Sequence, residues 1–171
     1  KIESDASQWI TYQGKTLKCN ASYYWKVKID TNKGATNWSA PAFWTTGLFN
    51  EADWQGQWIG LDRAAPGDSE TQWSRLAARY LRKEFAVKKD VKRATVHIAG
   101  MGLYELFING QRIGNQVLAP APTDYRKTIL YNTYDVTSLL QTENAIGVTL
   151  GNGRFYTMRQ NYKPYKIPTF G

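Results

Sequence analysis

Cysteine and histidine are almost missing: the 171 residues include 1 Cys, Cys19, and 1 His, His97. A lone thiol makes no internal disulfide, and a zinc cluster or a Cys–His nucleophile pair needs more than these two residues supply by spacing. No apolar run approaches the roughly 20 residues of a membrane-spanning helix. Lys1 to Gln8 is polar, so no retained signal peptide is expected. Proline is scarce at 6 residues beside 14 Gly, which excludes a collagenous or proline-rich chain. Acidic residues are outnumbered, 14 against 22 Lys and Arg, for a formal charge of +8. Residues 1–50 hold 6 of the basic and 3 of the acidic residues, so the excess is spread along the chain. That distribution argues against a nucleic-acid partner, which favours concentrated basic patches.

What is present is aromatic and strand-like, with 7 Trp, 11 Tyr and 6 Phe in 19.5 kDa. Residues 22–30 alternate, with Tyr23, Trp25, Val27 and Ile29 on one side, which predicts a half-buried strand with Trp25 in the core. Thr31 to Gly34 offers turn chemistry, and further strands are expected at 43–46 and near Trp9 to Tyr12. The mixed stretch 47–56 reads as a boundary with Trp54 and Trp58 flanking it, and 62–72 as a polar loop. A second series of strands follows at 77–87, 94–99, 103–108, 111–113, 128–134 and 145–150. Asn109-Gly110, between apolar runs, is the strongest hairpin signal. A single short helical turn is expected at 135–140, capped by Asp135 or Thr137.

The fold class is therefore all-β. Residues 1–50 carry about three strands, too few to close a sandwich of about 100 residues, and 154–171 reach no recognisable finish. Both ends point to a piece of something longer.

Candidate chemistry is sparse. Glycoside hydrolysis needs two carboxyl groups roughly 5 to 9 Å apart. Glu105, Asp124 and Asp135 are the acids of interest, with nothing in their spacing to pair them. His97 reads as a structural or surface residue. Ser69 and Ser74 lack the strained elbow of an activated serine, and Gly151-Asn152-Gly153 reads as a turn, not a phosphate loop. Sugar binding uses aromatic rings against C–H faces and polar side chains at the rim. Tyr104, Asn109, Asp124, Tyr125, Arg126 and Tyr156 have that chemistry. Calcium, which takes six to eight oxygens, would draw on Asp124, Asn109 and loop carbonyls.

The run Gly100 to Gly114 (GMGLYELFINGQRIG) resembles the amino-terminal β-sandwich module of bacterial alpha-L-rhamnosidases. The similarity continues through Val117 to Pro120, Thr123-Asp124-Tyr125, Tyr131, Tyr134 to Thr137, Leu140, Asn144 to Gly147 and Leu150 to Gly153. Upstream, Tyr23 to Lys28, Trp38-Ser39, Phe43 and Thr45-Thr46-Gly47 resemble the second half of a fibronectin-type module. Asp53-Trp54 through Trp58-Ile59-Gly60 resembles the passage between the two modules. One departure stands out: relatives often follow the Gly-Asn-Gly turn with an aromatic pair beginning with Trp, where this chain has Arg154-Phe155-Tyr156.

The resemblance implies two modules. Residues 1–50 are then a partial fibronectin type III or immunoglobulin-like sandwich, and residues 51–171 a galactose-binding-like jelly-roll sandwich that stops before its expected later strands. It implies an inverting glycoside hydrolase that removes terminal alpha-L-rhamnose from plant glycosides or polysaccharides, with its acid and base in a downstream (α/α)6 barrel. No catalytic residue is then expected in this chain, whose partners would be that barrel and a rhamnose-containing glycan. Calcium assists some rhamnose-binding relatives, and a periplasmic or extracellular location follows from the same resemblance. The competing classes are a stand-alone carbohydrate-binding or adhesion module and an accessory module of another hydrolase such as a beta-galactosidase.

Overall fold

The computed structural model describes residues 4–6, 8–60, 77–153, 155–157 and 165–166. The polar loop expected at 62–72, with Ser69 and Ser74, lies outside them, as does most of 159–166. The chain packs into two compact units, Lys1–Gln57 and Trp58–Gly171. Regular structure among the described residues is strand apart from two single 3-10 turns, Glu51–Asp53 and Thr137–Leu139.

In the first unit β1 (Ser22–Trp25) pairs antiparallel with β4 (Ala42–Thr45), and β2 (Asp30–Thr31) forms a hairpin with β3 (Gly34–Ala35). The strand predicted over 22–30 is interrupted. Between Trp25 and Asp30 the backbone N–H groups of Val27 and Ile29 donate to the hydroxyls of Ser39 and Thr36, at 2.9 and 3.0 Å. Side-chain oxygens there take the place of strand carbonyls. No strand forms at 9–12, where Trp9 takes a positive φ of 58° and is 96% exposed. Trp25, predicted as core, is 51% exposed, because no second sheet covers this two-stranded ribbon among the described residues. Its rings pair across the ribbon instead, Tyr23 on Trp44 at 5.1 Å and Tyr24 on Phe43 at 6.0 Å.

The unit's buried polar anchor is Thr46, which ties down the 18–21 loop. Its hydroxyl donates to the Lys18 carbonyl at 2.6 Å and accepts the Ala21 N–H at 3.0 Å. Asp53 does the same for the 3-10 turn, accepting the N–H groups of Asn50 and Phe49 at 2.9 and 3.1 Å. Those backbone bonds hold its carboxyl below the ordinary range. The Cys19 thiol also bonds Asp53, and desolvation together with that carboxylate raises its pKa.

The second unit contains β5 (Arg79–Ala86), β6 (Thr95–Ala99), β7 (Leu103–Ile108), β8 (Gln111–Ile113), β9 (Tyr131–Asp135) and β10 (Glu143–Gly151). Two short pieces follow, β11 (Tyr156–Thr157) paired with β12 (Tyr165–Lys166). The main sheet has the order β5-β10-β7-β8, all antiparallel, and β6 pairs with β9 in a second sheet. Alternation fixes the faces. Tyr104 and Leu106 of β7 and Ile146, Val148 and Leu150 of β10 point inward, where Val96 and Ile98 of β6 and Tyr134 of β9 meet them. Leu106 and Ile108 are each 1% exposed, so truncating either to Ala costs about 2–5 kcal/mol.

Asn109 (φ 51°) and Gly110 (φ 81°) make the tight β7–β8 turn, both central residues in the left-handed region such a hairpin requires. At 124–128 the chain turns instead of extending, Lys127 and Thr128 both donating to the Asp124 carbonyl, so β9 begins at Tyr131 and not at 128. Asp135 stands one residue before the cap position of the second 3-10 turn. From there its carboxylate accepts the Thr137 N–H at 2.9 Å and its hydroxyl at 2.6 Å, and these bonds lower its pKa.

Candidate functional site

Tyr104 and Asn109, two of the six residues with sugar-binding chemistry, are taken up by the fold. Tyr104 points into the core and is 5% exposed, and its hydroxyl accepts the Asn132 amide at 2.7 Å. Burial pushes this phenol far above the ordinary tyrosine range. Its ring is thus closed to sugar stacking, a correction to the expectation from sequence, which could not tell the two faces of β7 apart. Asn109 stands at the opposite end of the strand, about 17 Å away at the strand rise. Its amide donates to the Leu139 carbonyl at 2.9 Å and to Asn144 Oδ1 at 3.0 Å, while its oxygen accepts the Ala145 N–H at 2.8 Å. This side chain fastens the hairpin to β10.

Asp124, Tyr125 and Arg126 share one turn. Arg126 donates to the Asp124 carboxylate from Nε at 3.1 Å and from its backbone at 3.2 Å, which lowers the carboxyl pKa. Tyr125 meets the buried Phe155 edge to face, centroids 5.5 Å apart. Tyr156 opens β11, beside Phe155 in sequence.

The three acids weighed for hydrolysis each have a partner of their own: Glu105 with Arg112 Nε at 3.1 Å, Asp124 with Arg126, Asp135 with Thr137. Among the described residues no group of three or more His, Cys, Asp or Glu is placed to hold a metal ion. The Asn109 amide oxygen accepts the Ala145 N–H, and Asp124 Oδ1 accepts the Arg126 N–H. His97, on the outer side of β6, makes a 2.9 Å bond from Nδ1 to the Thr133 hydroxyl and leaves the buried Nε2 without a partner. Desolvation, then the Arg93 charge, lowers its pKa, so the ring is neutral at pH 7.

The outer face of the main sheet was not singled out by sequence. Register places Tyr80, Thr149 and Glu105 in one cross-strand row and Arg82, Gly147, Phe107 and Arg112 in the next. Between its end residues Glu143 and Gly151, the central strand β10 contributes Ala145, Gly147 and Thr149 to this face. Tyr80 is 81% exposed. Arg82 reaches Glu84 at 2.6 Å, and Arg112 joins Glu105, both pairs open to solvent. Exposed pairs of this kind contribute about 0–1 kcal/mol. The alternation of β5 was legible, but its row partners required the register. A separate hollow of about 790 Å³, lined by residues that include Lys88, Lys89, Asp90, Thr137 and Gln141, contains none of the six candidates.

The described residues form two all-β units, and comparison with known proteins supplies the family. Residues 1–50 match the family described as "Rha78A-like, N-terminal immunoglobulin domain", and residues 89–170 match "Alpha-L-rhamnosidase N-terminal domain". An alpha-L-rhamnosidase of Formosa agariphila is 38% identical over 95% of this chain and 19% of its own length. One of Alteromonas sp. is 35% identical over 90% of the chain and 17% of its own length. Among solved structures, the alpha-L-rhamnosidase from Dictyoglumus thermophilum superposes with a TM-score of 0.73 at 42% identity, covering 85% of this chain and 18% of that one. That from Aspergillus terreus gives 0.72 at 29% identity, covering 90% and 18%. The chain carries the amino-terminal modules of the alpha-L-rhamnosidase family and spans about a fifth of the length of the curated relatives it matches.

Proposed function

We propose that the protein to which these modules belong hydrolyses terminal alpha-L-rhamnose from plant glycosides or polysaccharides with inversion. Its acid and base lie in a downstream (α/α)6 barrel, and the present residues are a non-catalytic part that packs on that barrel or engages the glycan. The observation that carries this reading is the ordered match of both modules, at 38% identity over 95% of the chain, to a relative named as an alpha-L-rhamnosidase. The pairing of Glu105, Asp124 and Asp135 with Arg112, Arg126 and Thr137 supports the division of labour, because each carboxylate is already tied to a local structural partner.

The test is hydrolysis of an aryl alpha-L-rhamnoside by the 171-residue chain and by a polypeptide extended through the helical barrel. Turnover by the extended protein alone is expected, with the released sugar in the inverted β configuration by NMR. Turnover by the 171 residues overturns the reading. Sugar titration with and without a chelator then separates glycan engagement from packing and tests a calcium contribution.

A further inference from the structure

We infer that the outer face of the main sheet is a groove for an uncharged oligosaccharide, running along β10 between Tyr80 and Arg82 on one side and Glu105, Phe107 and Arg112 on the other. The inference rests on the glycan-engaging role proposed above and supplies the surface for it. Its floor is the first observation. Ala145, Gly147 and Thr149 are the smallest row of side chains on that face, at the centre of the sheet. Their flanking strands stand about 10 Å apart, two strand spacings.

Glycine inside a strand is a destabilising choice and marks a place where something approaches the backbone closely. Among the described residues nothing requires it at Gly147: an added Cβ would meet only Phe107 Cβ, at an ordinary 3.8 Å, and its φ is not positive. The approaching body therefore lies beyond the described residues.

The walls specify its chemistry. Tyr80 presents an aromatic ring, 81% exposed on a strand, to the C–H face of a sugar. Arg82 with Glu84 and Arg112 with Glu105 set donors and acceptors on both walls, and their charges cancel pairwise. An ion gains no net attraction from either wall, whereas hydroxyl groups both donate to carboxylates and accept from guanidinium groups.

Calorimetric titration of the 171-residue chain with an uncharged rhamnose-containing oligosaccharide tests the groove, using Tyr80→Ala and Gly147→Val beside the wild type. Each variant is expected to weaken binding by about tenfold or more, the loss typical of removing or blocking an anchoring contact, with an unchanged melting temperature. Tyr80→Ala removes only an exposed ring, so it carries the test if Gly147→Val folds poorly. Equal affinity of wild type and Tyr80→Ala overturns the groove and leaves the glycan role standing elsewhere on the chain. No binding by the wild type overturns both. Preference for an acidic oligosaccharide overturns the assignment to uncharged ligands.

Discussion

The amide of Asn109 donates to Oδ1 of Asn144 across 3.0 Å, joining the β7–β8 turn to the start of β10. Asn144 is 5% exposed, and its own amide closes the 141–144 loop through bonds of 2.8 and 2.6 Å to the Gln141 backbone. One residue thus gathers a hairpin and a loop.

Asn144→Ala leaves the Asn109 amide and the Gln141 N–H short of an acceptor, and each unsatisfied group costs about 1–3 kcal/mol. Urea denaturation is expected to show a loss of about 2–4 kcal/mol. Asn109→Gly keeps the left-handed backbone but not the amide, so its effect should be smaller. The double variant should lose less than the sum, since both remove one shared bond. Strict additivity would mean the two amides act independently.

Tyr104→Phe removes the acceptor of the Asn132 amide and should cost about 1–2 kcal/mol while leaving the core packing intact. Because burial raises the phenol pKa above its ordinary value of 10.0, the native state holds this proton longer than the unfolded chain does. Stability from this group is complete below that ordinary value and falls as the pH climbs above it. Stability measured at alkaline pH should therefore decline less steeply for Tyr104→Phe than for the wild type.

His97 and Asp53 shape the acid side. The imidazole pKa is depressed from 6.5, so its contribution is present above that value and is lost as the pH falls through the folded value. Proton NMR should place its midpoint below 6.5, and Arg93→Gln should bring it partway back by removing a neighbouring positive charge. Asp53, depressed from 3.8, contributes above that value and loses its contribution as the pH falls further. Asp53→Asn should flatten that lowest limb alone. A His97 midpoint above 6.5 would contradict the buried, uncharged ring.

Gly153 takes a positive φ of 52° and lies against Gly102, where an added Cβ would sit 2.9 Å from the Gly102 Cα and the Leu103 N. Gly153→Ala should destabilise by about 2 kcal/mol or more, from strain and overlap together. Gly147→Ala, meeting nothing nearer than 3.8 Å, should be neutral or stabilising. Thermal unfolding of the two variants side by side reads the contrast, and equal losses would refute it.

The sequence by itself determined whatever depends on near neighbours. Alternation marked β7 and β8 to the residue, and Asn109-Gly110 announced their turn, since a turn needing two positive φ angles leaves few alternatives. The ordered motifs also carried the family. Tertiary structure decided which face of each strand lies inward. That is why Tyr104 became core, its neighbour Glu105 became surface, and Trp25 was left half open on an unroofed ribbon. It also decided that β10, last of the long strands, would lie between β5 and β7 and line up Tyr80, Thr149 and Glu105. A period of two states that faces alternate but not which one is buried. Register between strands more than 30 residues apart is fixed by the collective packing of Leu106, Val148 and Ile98, not by any local preference.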